Sequence, residues 1–259
     1  MPSDALQGVA LVTGGGRGIG ASIARELAGA GMRVAVSGRS PEQVDAVAYE
    51  LDGLALIGDV TRHDDVEAWV ERTERELGPI DLLVANAGVS GSGRPFLDES
   101  IEDWWRVFEV NVFGPYLCCR AVGARMAERG RGRIVNVGSG GSYLPITNPT
   151  ISLGTSYGPS KAALGRFTEI LAAALGPSGV RVFLISPGLV RTSMTEHMGA
   201  DAPWTPPELA PKLVRVLASG RADALVGRYL HAEHDDIEDL IARSDEIAAN
   251  DANAIRLRR

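Results

Sequence analysis

The chain has 259 residues, 45% of them hydrophobic and 23% charged, with a formal net charge of −7. That size and apolar content suit one large α/β domain with a sizeable core, and the negative charge argues against nucleic acid or an anionic membrane as a partner. No run approaches the ~20 apolar residues of a membrane-spanning helix, and no basic stretch leads into an apolar one as in a secretory signal. The two cysteines, Cys118 and Cys119, are adjacent within a helical pattern. They suit packing in a reducing compartment rather than a disulfide framework, so the expected location is the cytoplasm.

The first element is a strand over 9–13, Val9-Ala10-Leu11-Val12-Thr13. It runs into Gly14-Gly15-Gly16-Arg17-Gly18-Ile19-Gly20 and then an amphipathic helix over 18–30, with Ile19, Ile23, Leu27 and Ala30 on one face and Gly31 ending it. A strand, a tight glycine turn and a helix start form a phosphate cradle, because glycines admit a pyrophosphate and the helix offers free N–H groups. A second strand over 33–37 leads to Gly38-Arg39-Ser40 and a helix over 41–51. In a dinucleotide fold the end of this strand meets the adenosine ribose, where an acid binds a 2′-hydroxyl and a basic residue accommodates a 2′-phosphate. Gly38 holds the acid's place and Arg39 follows it, with Arg17 a second phosphate ligand in the glycine loop, so the reading favours NADP(H) over NAD(H).

Strands follow over 54–58, 81–85, 133–137, 181–185 and 224–227, alternating with helices over 63–76, 102–128, 157–175 and 206–219. This alternation predicts a doubly wound parallel sheet of about seven strands with helices on both faces, a Rossmann-type α/β fold. No repeat or flexible linker divides it, so 1–259 reads as one dinucleotide-binding domain. Two irregular stretches, 138–156 and 189–207, follow strand ends, where open α/β sheets bind ligands, and are expected to shape a substrate pocket. At the start of the helix over 157–175, Tyr157 and Lys161 stand four apart and share a face. A phenol with pKa near ~10 is a poor acid at neutral pH, and a neighbouring ammonium would lower it.

The glycine motif with Tyr157-Gly158-Pro159-Ser160-Lys161 resembles the short-chain dehydrogenase/reductase family, in its short single-domain branch. The resemblance continues at Asn86-Ala87-Gly88, at Asn111, at Ser139 and at Pro187-Gly188, and covers about residues 7–195. It implies a catalytic set of Asn111, Ser139, Tyr157 and Lys161. Tyr157 would exchange a proton with the substrate oxygen, Lys161 would lower its pKa and hold the ribose, Ser139 would hydrogen-bond the carbonyl, and Asn111 would position a water. It also implies that Asp59-Val60 flanks the adenine, that Asn86, Ala87 and Gly88 line the adenosine side, and that Pro187, Gly188, Val190 and Thr192 pack about the nicotinamide. Asp59 alternatively caps the helix entering at Thr61. The segment 142–155 lengthens the usual Ser-to-Tyr spacing, which makes Ser142 a competitor for Ser139, and Ser156 is expected to point elsewhere. The close Tyr–Lys spacing favours carbonyl and alcohol chemistry over C=C reduction.

The expected activity is NADP(H)-dependent interconversion of a ketone or aldehyde and an alcohol. The alternative is a catalytically idle NADP-binding regulator. The helices over 102–128 and 157–175 resemble the family's subunit interface, which implies a homodimer or homotetramer. Phe96, Tyr143, Leu144, Pro145, Ile146, Leu153 and Trp204 suggest a partly apolar small-molecule substrate, with Arg94 and Arg191 placed to meet a charge. Beyond Gly227 the sequence leaves the family pattern. A helix is expected over 235–249, started by Asp235 and Asp236, and His231 and His234 read as capping rather than metal-binding residues. Arg256, Arg258 and Arg259 form a basic end.

Overall fold

The computed structural model describes residues 5–145, 147 and 154–256. Ile146, Leu153, Arg258, Arg259 and half of the 142–155 segment lie outside the described residues. Strands β1 (Val9–Thr13), β2 (Arg33–Gly38), β3 (Leu54–Ile57), β4 (Ile80–Ala85), β5 (Gly132–Val137), β6 (Val180–Ser186) and β7 (Tyr229–His231) form one parallel sheet in the order β3-β2-β1-β4-β5-β6-β7. Leu11 of β1 stands between Ala35 of β2 and Leu83 of β4. The strand order reverses between β1 and β4, and the crevice that opens at such a point is where doubly wound sheets take ligands.

The described helices are α1 (Gly18–Gly29), α2 (Pro41–Glu50), α3 (His63–Glu76), α4 (Ile101–Phe108), α5 (Gly114–Glu128), α6 (Tyr157–Leu175), α7 (Leu209–Ser219), α8 (Ile237–Ala242) and α9 (Ser244–Ala249). Successive strand residues point to opposite faces, and both faces are covered, which is why the strands are apolar at nearly every position. Val12, Val36, Val84 and Phe183 pack with Ile23 and Leu27 of α1 and Leu213 and Leu217 of α7. Leu11, Ala35, Leu83 and Ile134 pack on the other side with Trp69 of α3 and Leu117 and Met126 of α5. Phe183 is wholly buried, and cutting such a side chain to alanine typically costs about 3–5 kcal/mol.

Four expected elements differ. The last strand lies at Tyr229–His231, not 224–227. Asp223–Leu225 is instead a single 3-10 turn, and the chain joins the sheet only after Gly227, which turns at φ +77° and donates its N–H to the Val182 carbonyl. The helix over 102–128 is interrupted by one π-helical turn, Glu109–Phe113, between α4 and α5. The helix expected from 206 begins at Leu209, because Pro206 and Pro207 disfavour helical backbone at the residues before them. The helix expected over 235–249 is two short ones that break at Arg243. Asp236 caps the first by accepting the Glu238 and Asp239 N–H groups, and Arg243 bridges the break to Asp239 and Glu246.

Candidate active site

Two sequence motifs meet at the end of β1. The Thr13 hydroxyl accepts the N–H groups of Asn86 and Ala87, each at 3.1 Å. The Asn86 amide donates to the Thr13 and Gly14 carbonyls at 2.9 and 3.2 Å. A Cβ on Gly20 would lie 2.3 Å from the Gly14 carbonyl oxygen, so α1 can lie this close to the turn only with glycine there. The first turn of α1 carries no acidic side chain, leaving its N–H groups and positive dipole end uncompensated.

These groups open onto a cleft of about 350 Å³ along the strand ends. Gly14, Arg17, Gly18, Ile19, Gly20, Arg39, Asp59, Val60, Asn86, Ala87, Gly88, Tyr157, Lys161, Pro187 and Thr192 line it; Asn111, Ser139, Gly188 and Val190 are not among its lining residues. Ser37, Gln43, Arg106, Val137, Gly138, Ser193 and Met194 also line it and carry no motif that sequence reading could have used. The exposed guanidinium groups of Arg17 and Arg39 have no carboxylate partner among the described residues. Among the described residues the one carboxylate in the wall, Asp59, is paired with Arg106 at 2.8 Å. Partial burial opposes ionisation of Asp59, but the Thr61 N–H and Arg106 outweigh it and hold the carboxyl below its ordinary value. Asp59 also accepts the Thr61 hydroxyl at 2.8 Å, while α3 starts only at His63, so it fixes the turn before the helix rather than the helix itself. A dinucleotide carrying several negative charges fits this donor set of helix N–H groups, one lysine and two free arginines.

Tyr157 opens α6 and faces the cleft, with protein surrounding it elsewhere. Its phenol is raised above its ordinary value by burial, and the neighbouring Ser139 hydroxyl opposes this without cancelling it. Lys161 is 4% exposed and donates to the Val137 carbonyl at 2.8 Å. Burial pulls the Lys161 pKa down to about 8. Its ammonium sits 5.9 Å from the centre of the Tyr157 ring. The expected lowering of the phenol by Lys161 is therefore not what the protein alone displays: the lysine's strongest contact is the carbonyl, and desolvation dominates at the tyrosine.

Ser139 caps a short 3-10 turn by accepting the Gly141 N–H at 3.1 Å. Its competitor Ser142 donates back to the Ser139 carbonyl at 2.7 Å and is held in the turn. Ser156 points away from the cleft, to Glu99. Asn111 lies in the π turn, wholly buried. Its Oδ1 accepts the Val89 N–H, and its Nδ2 donates to the Val89 carbonyl and to Ser160 Oγ. Both amide N–H groups are thus committed to the protein, and Oδ1 keeps one lone pair beyond the Val89 N–H.

Beyond β6, Gly188 turns at φ +79° against Thr205. The Thr205 hydroxyl accepts the Leu189 N–H at 3.0 Å and donates to the Glu233 carboxylate. Val190 is buried, and its carbonyl accepts the Thr195 hydroxyl at 2.8 Å. On the same loop the Arg191 guanidinium lies 4.7 Å above the Trp204 ring. His231 Nδ1 accepts the N–H groups of Glu233 and His234 at 3.2 and 3.1 Å. Burial pulls its pKa to about 4, which keeps the ring a neutral cap. Among the described residues no group of three or more His, Cys, Asp or Glu side chains is placed to hold a metal ion.

Residues 8–203 match the family described as short chain dehydrogenase. A short chain dehydrogenase of Pseudocercospora fijiensis is 38% identical over 197 residues, which are 73% of this chain and 62% of that protein. A 3-oxoacyl-acyl-carrier-protein reductase of Synechocystis is 34% identical over 84% of this chain and 92% of that one. Among solved structures, a gluconate 5-dehydrogenase from Burkholderia cenocepacia in complex with NADP and tartrate superposes with a TM-score of 0.79 at 29% identity, covering 88% of this chain and 95% of that one. The chain belongs to the short-chain dehydrogenase family of oxidoreductases. No helix among the described residues is long and apolar enough to cross a membrane.

Proposed function

We propose that this protein is an NADP(H)-dependent oxidoreductase that interconverts a ketone or aldehyde and the corresponding alcohol. The observation that carries the reading is Tyr157 at the cleft wall, with Ser139 beside its phenol and Lys161 one helical turn behind. When bound, the nicotinamide supplies or takes the hydride at the substrate carbon. In the reducing direction Tyr157 Oη gives its proton to the carbonyl oxygen, and in the oxidising direction it takes the alcohol proton. Ser139 lies beside that phenol and can donate to the same oxygen, stabilising charge that develops there. Lys161 would swing from the Val137 carbonyl to the ribose hydroxyls and favour the phenolate. Asn111 fixes Val89 and Ser160, and a water it positions would bond to its backbone or to the remaining lone pair of Oδ1.

The 2′-phosphate preference rests on Arg17 and Arg39, both at the cleft and free of carboxylate partners among the described residues. The gluconate 5-dehydrogenase relative holds NADP in its solved complex, which supports the same preference. Exposed Trp105, Phe113, Tyr116 and Ile170 on α4, α5 and α6 and the turn joining them support a homodimer or homotetramer. The buried free thiols Cys118 and Cys119 suit a cytoplasmic setting.

The test is NADPH and, separately, NADH oxidation with a panel of ketones and aldehydes, with Tyr157→Phe as the blank. Turnover by wild type alone supports the reading. NADPH binding without turnover in either direction would instead favour the idle regulator, and a monomer in sedimentation at micromolar concentration would overturn the oligomer.

A further inference from the structure

We propose that Glu99 is a positioning residue for Tyr157, clamping the two residues before it to the loop that follows β4. The proposal rests on the reading of Tyr157 as the proton donor. Glu99 lies just before α4, away from the cleft lining. Its Oε2 accepts the Thr155 hydroxyl at 3.1 Å, and its Oε1 accepts the Ser156 hydroxyl at 3.3 Å and the Ser92 hydroxyl at 3.1 Å. A carboxylate only accepts, so three hydroxyl donors converging on it have one arrangement available, and bonds to an ionised acceptor are the stronger kind.

The clamp is close-fitting. Ser156 is buried, and Gly91 turns over it at φ +85°, where a Cβ would lie 2.8 Å from Ser156 Oγ. The Ser156 carbonyl accepts the Ser160 N–H at 3.0 Å as α6 begins. On the other side of the tyrosine, Ser160 Oγ donates to the Tyr157 carbonyl at 2.7 Å and accepts from Asn111. The backbone on both sides of Tyr157 is thus anchored to the β4–α4 connection, through Glu99 before it and through Asn111 and Ser160 after it. Loss of the Glu99 anchor frees Thr155 and Ser156 and moves the phenol relative to the substrate oxygen, with no direct effect on the cofactor cleft.

The experiment compares wild type, Glu99→Ala, Glu99→Gln and Tyr157→Phe in carbonyl reduction, with NADPH affinity measured by fluorescence titration. Displacement of a reacting group on the order of 1 Å can cost 10²-fold in rate. Glu99→Ala is expected to lower kcat at least about tenfold while leaving the NADPH Kd within about twofold. Glu99→Gln, which keeps one acceptor oxygen and the side-chain length, is expected to restore most of that loss. A wild-type kcat in Glu99→Ala, an equal loss in both Glu99 variants, or a parallel loss of NADPH affinity would overturn the clamp. If wild type turned over and Tyr157→Phe did too, the reading of Tyr157 would fail, and the clamp with it. Turnover lost only in Tyr157→Phe, with Glu99→Ala unchanged, would sink the clamp alone.

Discussion

Asn111 grips Val89 at both of its backbone polar groups, accepting its N–H and donating to its carbonyl, each at 2.9 Å. The same amide donates to Ser160 at 3.0 Å, so one buried side chain joins the loop after β4 to the first turn of α6. Asn111→Ala would leave the part-buried N–H and carbonyl of Val89 without partners, at up to about 1–3 kcal/mol for each group left unpaired. The expected result is a loss of about 2–4 kcal/mol in urea denaturation, together with loss of turnover. Asn111→Asp should be little better, because its carboxylate cannot donate to the Val89 carbonyl.

Lys161 makes a pH-dependent prediction. Its pKa in the folded protein is about 8 because burial disfavours the ammonium, against ~10.4 in an unfolded chain. Between those values the unfolded chain binds more protons, so this group makes stability rise with pH. Its cost is fully present below pH 8, on the order of 3 kcal/mol, and disappears as pH approaches ~10.4. Lys161→Met removes the titration. The stability of wild type relative to Lys161→Met should therefore improve between pH 8 and 10, and stay level from pH 6 to 7.5, when both are followed by denaturant melts without cofactor.

Much of this was legible in the chain because strand, turn and helix signals agree from Val9 to Gly20 and recur along it. The helix over 63–76 falls where its pattern places it. The exceptions have local causes. Of the apolar run Ala224-Leu225-Val226 only Leu225 is wholly buried, filling core from a 3-10 turn without pairing, while Ala224 is exposed. Periodicity could not reveal the π turn at Asn111, because that turn changes which carbonyl each N–H reaches and not which residues are apolar. The tie between Glu99 and Ser156 spans distant segments of polar residues, and only the fold brings them together. The role of Lys161 was half legible: the four-residue spacing put it beside Tyr157, but its bond to Val137 depends on where β5 ends.

Two glycines of α1 should respond oppositely to alanine. At Gly20 the added Cβ would meet the Gly14 carbonyl oxygen at 2.3 Å and the Asn86 amide at 2.5 Å, both fixed by the turn that forms the cleft. Gly20→Ala is expected to destabilise the fold by about 1–3 kcal/mol, as overpacking does, and to weaken NADPH binding. At Gly29, the last residue of the same helix, nothing lies within 4 Å of the added atom. Gly29→Ala should stabilise by about 0.4–1 kcal/mol by restricting the unfolded chain. Thermal melts with and without NADPH test both.

Arg39 gives the sharpest prediction about cofactor choice. It follows Gly38 at the end of β2, lines the cleft, and has no ion-pair partner among the described residues. A guanidinium so placed can bind a 2′-phosphate, with which it forms charge-assisted hydrogen bonds, and gains far less from a ribose hydroxyl. Hydrogen bonds to charged groups contribute about 1.5–3 kcal/mol. Arg39→Ala should therefore weaken NADPH binding about 10- to 100-fold and leave NADH within about threefold. Arg39→Asp should go further and reverse the preference, because the new carboxylate repels the phosphate while accepting from a 2′-hydroxyl. Arg17 shares the load from the glycine loop, so Arg17→Ala combined with Arg39→Ala should abolish the preference. Fluorescence titration with both cofactors reads these ratios directly. Equal losses for NADPH and NADH in Arg39→Ala would place the arginine at a phosphate common to both and remove the basis for NADP(H) selectivity.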